Sequence, residues 1–230
     1  MELCILIPAK NEELVLSETI DMIQQELTSK IPFNILVIND HSDDKTTEIL
    51  SQLSSHYSNV NYVSNSLNAG VGNAIRFGLS QWKGDVVGIC MADGSDNPLD
   101  LLQSYNYIND EGFDCVFGSR FVQGGEIKNY PLLKLLLNRV FNIMVRMISG
   151  IQYNDFTNHF KVYHRRAINQ IEPLEAAGFS IGLEMSLKAF KRKCKIMVIP
   201  ISWRQREMGV SKLSLVKNLR GYLVTLRNSI

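Results

Sequence analysis

The run Met91-Ala92-Asp93-Gly94-Ser95-Asp96 places two carboxylates and a hydroxyl directly after the apolar stretch Val86-Val87-Gly88-Ile89-Cys90. Such a stretch reads as a buried parallel strand, and ligands of open α/β sheets bind where those strands end. Carboxylates there can hold a hard divalent cation, which takes oxygen ligands and completes its shell with substrate phosphates. A nucleotide diphosphate donor suits that chemistry. The competing reading is a plain loop in which Asp96 or Ser95 caps a helix opening near Pro98. The neighbouring segments must decide.

The elements that would position this loop alternate clearly as far as residue 118. Strands are expected over 3–8, 33–39, 60–64, 85–90 and 113–118, with helices over 12–29, 45–56, 70–82 and 98–109. That order implies an α/β fold, a doubly wound and mostly parallel sheet. Later come a short strand near 160–164, a helix around 179–191, a strand over 195–202 and a basic amphipathic stretch from Lys212 to Arg227. The whole chain, 1–230, is read as one domain, with 1–118 and 119–230 as its two halves.

Pro131 opens a segment of a different kind. From Leu132 to Ile148, Lys134, Asn138, Asn142 and Arg146 recur every fourth residue among mostly apolar neighbours, a narrow polar stripe on a helix. Its polar positions argue against a membrane span. It is expected to lie in a membrane interface with its basic side chains reaching the headgroups, or else to be buried in the core or at a dimer contact.

Composition narrows the partners. The 230 residues, 45% of them hydrophobic, suffice for one α/β domain with a full core. Met1-Glu2 leads straight into Leu3-Cys4-Ile5-Leu6-Ile7, too short and unflanked for a secretory leader. Cys4, Cys90, Cys115 and Cys194 form no Cys-x-x-Cys pair and are expected to be reduced and buried, which points to the cytoplasm. His41, His56, His159 and His164 show no zinc spacing. The net charge of +1 hides an asymmetry: residues 1–114 hold 17 acidic and 5 basic side chains, residues 115–230 hold 6 and 19. An acidic half suits a metal, and a basic half suits phosphates or an anionic membrane surface. Nucleic acid is not expected, because no basic segment is interleaved with stacking aromatics.

Taken in order, these segments resemble family 2 glycosyltransferases of GT-A fold, and among them the dolichyl-phosphate mannose synthases. The likeness runs through Pro8-Ala9-Lys10-Asn11-Glu12, Ile38-Asn39-Asp40-His41-Ser42, Asn68-Ala69-Gly70-Val71-Gly72-Asn73-Ala74 and Met91-Ala92-Asp93. It continues with Gly118-Ser119-Arg120-Phe121, Asn138-Arg139 with Asn142, Asp155-Phe156-Thr157-Asn158-His159-Phe160-Lys161, Glu184-Met185, Trp203-Arg204-Gln205-Arg206 and Gly209-Val210-Ser211-Lys212.

The resemblance implies that Pro8, Lys10, Glu12, Ile38 and Asp40 line a nucleotide pocket, with Glu12 and Asp40 accepting from base or ribose; Asn11 and Glu12 also read as ordinary first-turn helix residues. It implies that Asp93 binds Mg2+ or Mn2+, that Met91 and Ala92 lie against the donor, and that Arg120, Arg139, Arg206 and Lys212 contact donor or acceptor phosphates. Asp93, Arg120 and Arg206 are the implied catalytic residues. Met91 stands where the family usually has an aspartate, Asn39 replaces a common acid, and His159 replaces a small residue, which would reshape the acceptor channel.

The implied reaction is inverting transfer of a hexose, from GDP-mannose or a UDP-sugar such as UDP-glucose, to a polyprenyl phosphate at the cytosolic face of a membrane. A phosphate acceptor is already anionic, so no strong general base is required. Rival readings are transfer to a hydroxyl of a soluble glycan, a non-catalytic nucleotide-sugar scaffold, and a nucleotidyltransferase. A second copy of the chain or a membrane partner subunit is left open.

Overall fold

A computed structural model describes residues 1–205 and 215–230. The first half alternates as expected: β1 (Leu3–Ala9), α1 (Leu16–Leu27), β2 (Phe33–Asn39), α2 (Thr46–His56), β3 (Val60–Ser64), α3 (Val71–Gln81), β4 (Val86–Ile89), α4 (Pro98–Glu111) and β5 (Cys115–Ser119). There follow β6 (Glu126–Lys128), α5 (Leu132–Ser149), β7 (Lys161–His164), α6 (Arg165–Ile171), α7 (Ile181–Lys191), β8 (Ile196–Pro200), β9 (Ser202–Arg204) and α8 (Leu215–Ser229).

Seven strands form one sheet in the order β3-β2-β1-β4-β7-β5-β8, so two strands of the second half complete the sheet begun by the first. All pairs are parallel except those of β7, which runs antiparallel to both β4 and β5. The start of β7 therefore lies at the same edge as the carboxyl ends of β1, β2 and β4. β1 is buried on both faces, as a central parallel strand must be. Cys4 and Leu6 pack with residues of α3, α7 and α8, whereas Leu3, Ile5 and Ile7 pack with residues of α1, α2 and α4. β6 and β9 make a separate two-stranded sheet.

Two expectations are corrected. α1 begins at Leu16 rather than near residue 12: Asn11 takes a left-handed φ of 50°, and the Glu12 carbonyl accepts from the Val15 and Leu16 amides. Neither Ser95 nor Asp96 caps α4; Asn97 does, accepting from the Leu99 amide at 3.0 Å, with Pro98 in the first turn. Helix α5 divides its polar stripe: Asn138 and Asn142 turn inward, while Lys134 and Arg146 stay exposed. Asn138 and Asn142 are 2% and 1% exposed, while Leu132, Leu133, Leu136, Val140 and Met147 are 82%, 69%, 61%, 58% and 78% exposed. The cause is hydrogen bonding. Asn138 Nδ2 donates to Thr157 Oγ1 at 2.8 Å, and Asn142 Oδ1 accepts from the Phe156 amide at 2.6 Å. No helix of the described residues is long and apolar enough to cross a membrane.

Candidate active site

The carboxyl ends of β1, β2 and β4, with the start of β7, surround an open cavity. On the β1–β2 side its walls include Pro8, Lys10, Glu12, Asp40 and Val71. The loop carrying Lys10 and Glu12 is tied to the loop after β2: the Asn11 amide donates to Ser42 Oγ at 3.0 Å and the Glu12 amide to Thr46 Oγ1 at 2.9 Å. Asp40 is buried and holds the Gly70 amide and Asn65 Nδ2, both at 2.8 Å, so it fixes the start of α3. Each of its oxygens keeps a second lone pair for a ligand.

Under the centre of the cavity lie Met91, Asp93, Ser95 and Asp96. Gly94 has a φ of 65°, and in that turn Asp93 Oδ1 accepts from the Ser95 amide at 3.2 Å. Asp96 is buried and accepts from the Met91 amide at 2.9 Å. Burial pushes its pKa up to about 7, reinforced by the charge of Asp93 and opposed by the Met91 amide.

The far wall is built around Arg120, which is 8% exposed. Its Nε and Nη2 donate to the two carboxylate oxygens of fully buried Asp155 at 2.8 and 2.7 Å. Burial alone would disfavour the guanidinium charge, but Asp155 overrides it and raises the pKa. Phe121, Tyr130 and Trp203 surround the guanidinium at 5.3, 6.0 and 5.8 Å. β9 brings Trp203 there, because the Arg204 amide donates to the Ser95 carbonyl and β9 pairs with β6. A planar guanidinium held by a carboxylate on one edge and ringed by aromatics keeps its charge at the cavity wall, where it can meet a further anion.

Above the cavity, the segment 175–178 crosses the start of α3. The Glu175 and Ala176 amides donate to the carboxylate of Glu184 in α7. Gly72 is required beneath: a Cβ there would stand 2.3 Å from the Ala176 carbonyl oxygen.

Pro8, Lys10, Glu12, Asp40, Met91, Asp93 and Arg120 thus share one cavity. Ile38 does not join them. It is fully buried beneath α3, where a Cβ on Gly78 would meet its Cγ1 at 2.9 Å, because strand alternation turns it away from the edge. Ala92 is likewise packed into the core under α1, its carbonyl accepting from Thr19 Oγ1. Arg139 is directed to the Asn154 carbonyl and the Phe121 ring, outside the cavity wall. Arg206 and Lys212 lie outside the described residues.

Residues 4–172 match the sequence profile described as Glycosyl transferase family 2. The chain belongs to that family. As a family 2 glycosyltransferase it is similar to the polyprenol monophosphomannose synthase of Mycolicibacterium smegmatis, 29% identical over 218 residues that cover 91% of this chain and 80% of that protein. It is also similar to the dolichol-phosphate mannosyltransferase of Pyrococcus furiosus, 28% identical over 216 residues, 93% of this chain and 59% of the relative. Among solved structures it superposes on glucosyl-3-phosphoglycerate synthase from Mycobacterium tuberculosis, crystallised with Mn2+, UDP-glucose and phosphoglyceric acid. The TM-score is 0.74 at 18% identity, covering 99% of this chain and 79% of the other. At that identity the likeness establishes the fold, which is GT-A.

Several residues of this glycosyltransferase site carried no assigned role in the sequence. Asp155, Tyr130 and Trp203 enclose Arg120 only through tertiary contacts. The signal for Asp155 was present in principle, since an arginine beside a strand end that is to be buried demands a carboxylate. Nothing local says which.

Proposed function

We propose that this glycosyltransferase moves a hexosyl group from a nucleoside diphosphate sugar, with GDP-mannose the first candidate and a UDP-sugar the second, to the phosphate of a polyprenyl lipid, with inversion. The observation that carries the lipid acceptor is α5. Asn138 on its inner face lines the cavity, and its outer face presents leucines, a valine and a methionine to the surroundings. One helix can thus lie in the interfacial layer of a bilayer and form a wall of the site. The names of both sequence relatives agree with this reading. The membrane face is then the cytosolic one, where nucleotide sugars are supplied.

Among the described residues no three metal-ligating side chains converge. Magnesium and manganese need only one or two carboxylates when substrate phosphates and water complete the shell, so Asp93 in the cavity floor fits such an ion together with a donor. When bound, the ion would neutralise charge on the departing diphosphate. Met91 contributes no carboxylate, and Asp96 is buried with its pKa pushed up by that burial to about 7.

The chain's own residues do the rest. Glu12 and the remaining lone pairs of Asp40 accept from the nucleoside, and the β1–β2 loops orient it. Arg120 stays charged, and its guanidinium at the cavity wall stabilises phosphate oxygens in the transition state. Arg206 and Lys212 are assigned to the phosphates by resemblance. The acceptor phosphate attacks as an anion, so no side chain has to remove a proton.

The test is release of nucleoside diphosphate from GDP- and UDP-sugars, with and without a short polyprenyl phosphate, in Mg2+, Mn2+ or chelator. Release that needs both lipid phosphate and metal is expected. Release with a soluble glycan hydroxyl alone would replace the acceptor, release of pyrophosphate would make the enzyme a nucleotidyltransferase, and binding without release would make it a scaffold.

A further inference from the structure

Thr157 follows Asp155 by two residues on the loop that leads into β7, and it lines the cavity together with Arg120 and with Asn138 of α5. Its side chain is tied to that helix. Thr157 is 6% exposed, and its Oγ1 accepts from Asn138 Nδ2 at 2.8 Å and from Asn142 Nδ2 at 3.2 Å. Because Thr157 and Asn138 both line the cavity, the bond between them forms part of its wall.

The direction of each of these bonds is fixed by a group that can act in one sense only. The Phe156 backbone amide donates to Asn142 at 2.6 Å, so Asn142 presents its oxygen there and turns its nitrogen away. That nitrogen donates to Asn138 Oδ1 at 2.9 Å, which leaves the Asn138 nitrogen for Thr157. Neither amide nitrogen has a lone pair to offer. The Thr157 oxygen therefore uses its two lone pairs on them, and its own hydrogen is left to donate. Among the described residues no group accepts it.

A hydroxyl so constrained selects an acceptor. Helix α5 meets it with donors alone, the carboxylate of Asp155 is engaged by Arg120, and the remaining neighbour is whatever fills the cavity. The Arg120 guanidinium at the same wall adds positive charge, and the group that both favour is an anionic oxygen. Of the cavity's walls, Thr157 is bonded to α5, whose outer face is apolar, and not to the β1–β2 loops or the turn of Asp93. We infer that Thr157 is a binding residue for the acceptor substrate, its hydroxyl donating to a phosphate oxygen of the polyprenyl phosphate. This rests on the reading of the acceptor as a lipid phosphate.

The experiment measures binding of a short prenyl phosphate and of the matching prenol, with nucleoside diphosphate and Mn2+ present, and of the nucleoside diphosphate by itself. It uses the full chain, Thr157→Ser, which keeps the hydroxyl, Thr157→Val, Asn138→Leu, and the last two combined. The combination is needed because Thr157→Val alone leaves the Asn138 amide without its acceptor, whereas removing both partners avoids that cost. Thr157→Val should weaken prenyl phosphate binding about tenfold or more, and so should the combination relative to Asn138→Leu. Prenol and nucleoside diphosphate affinities should stay level, and Thr157→Ser should retain tight binding. An equal loss for prenol and prenyl phosphate would make the role structural and overturn the inference; so would a loss confined to the nucleoside diphosphate, or no loss in either comparison. Should neither valine variant fold, the Thr157 methyl resonance of the unsubstituted chain, identified by its absence from Thr157→Ser, gives the answer. It should shift with prenyl phosphate and not with prenol, and a signal that is unmoved, or moved equally by both, overturns the inference. Prenyl phosphate bound no more tightly than prenol by the unsubstituted chain would instead overturn the lipid phosphate reading, and this inference with it.

Discussion

Asp93 and Lys161 show how differently two charged residues near one cavity are treated. Asp93 faces the cavity, and its Oδ1 accepts from the Ser95 amide. Asparagine retains that acceptor, so Asp93→Asn should keep the unfolding midpoint while nucleoside diphosphate release falls about a hundredfold or more. A folded variant of full activity would remove Asp93 from the mechanism. Lys161 is 1% exposed and donates to the Asn158 carbonyl. Burial pushes its pKa down from 10.5 to about 7, against the pull of Asp155. Between those values the unfolded chain binds the proton and the folded chain does not, so stability contributed at this residue is lost at low pH and rises with pH, by at most about 1.4 kcal/mol per unit. Denaturant midpoints at pH 7 and 9 should therefore diverge between the unsubstituted chain and Lys161→Met, with the former gaining; parallel midpoints would show that the ammonium is not destabilised by burial. Both positions fall in motifs visible in the sequence. Their environments do not, because burial is a property of what surrounds them.

Helix α3 is joined to the site by close backbone contact, and α5 by two buried asparagines, Asn138 and Asn142. A Cβ on Gly72 would also meet the Ala177 carbonyl carbon at 2.6 Å and the Gly178 oxygen at 2.7 Å. Gly72→Ala must displace the segment 175–178, at about 1–3 kcal/mol. Because Val71 and Phe179 both line the cavity, nucleotide binding should weaken along with the unfolding midpoint; calorimetry would read both, and an unchanged pair would mean that the crossing segment yields freely. On α5, replacing Leu133, Leu136 and Val140 by serine removes apolar surface that no described residue covers well. Surface changes of this kind usually alter stability by less than about 0.5 kcal/mol each. Co-sedimentation with vesicles should be lost while the melting temperature holds, and retained sedimentation would assign membrane contact to another element. The four-residue recurrence of polar side chains along α5 was readable in the sequence. Which face would meet protein was not, since an amphipathic pattern defines two faces and only the groups opposite them choose. Here the Phe156 amide and Thr157 hydroxyl needed the asparagines.

Charge is distributed unevenly over the whole molecule, with 19 basic against 6 acidic side chains in residues 115–230. If the basic half approaches an anionic bilayer, vesicle binding should fall as salt rises through about 0.1 M, where the screening length is about 10 Å. A residue of salt-resistant binding should remain from the apolar face of α5, and binding wholly insensitive to salt would remove the electrostatic part. The alternating strands and helices through residue 118 were evident from the chain, because each strand is an apolar run and each helix a periodic one, and both signals are local. So was the position of Asp93 after a strand. The reversal of β7 came only from the folded sheet, where residues 161–164 slot between β4 and β5. The pairing of Arg120 with Asp155, 35 residues apart, arose in the same way. So did the burial of Ile38 and Ala92, and the meeting of Trp203 with Tyr130 at 4.9 Å between ring centres. Periodicity records which side chains share a face of one element; the partner of that face, and the depth at which it is buried, depend on residues distant in sequence that only the packed chain brings together.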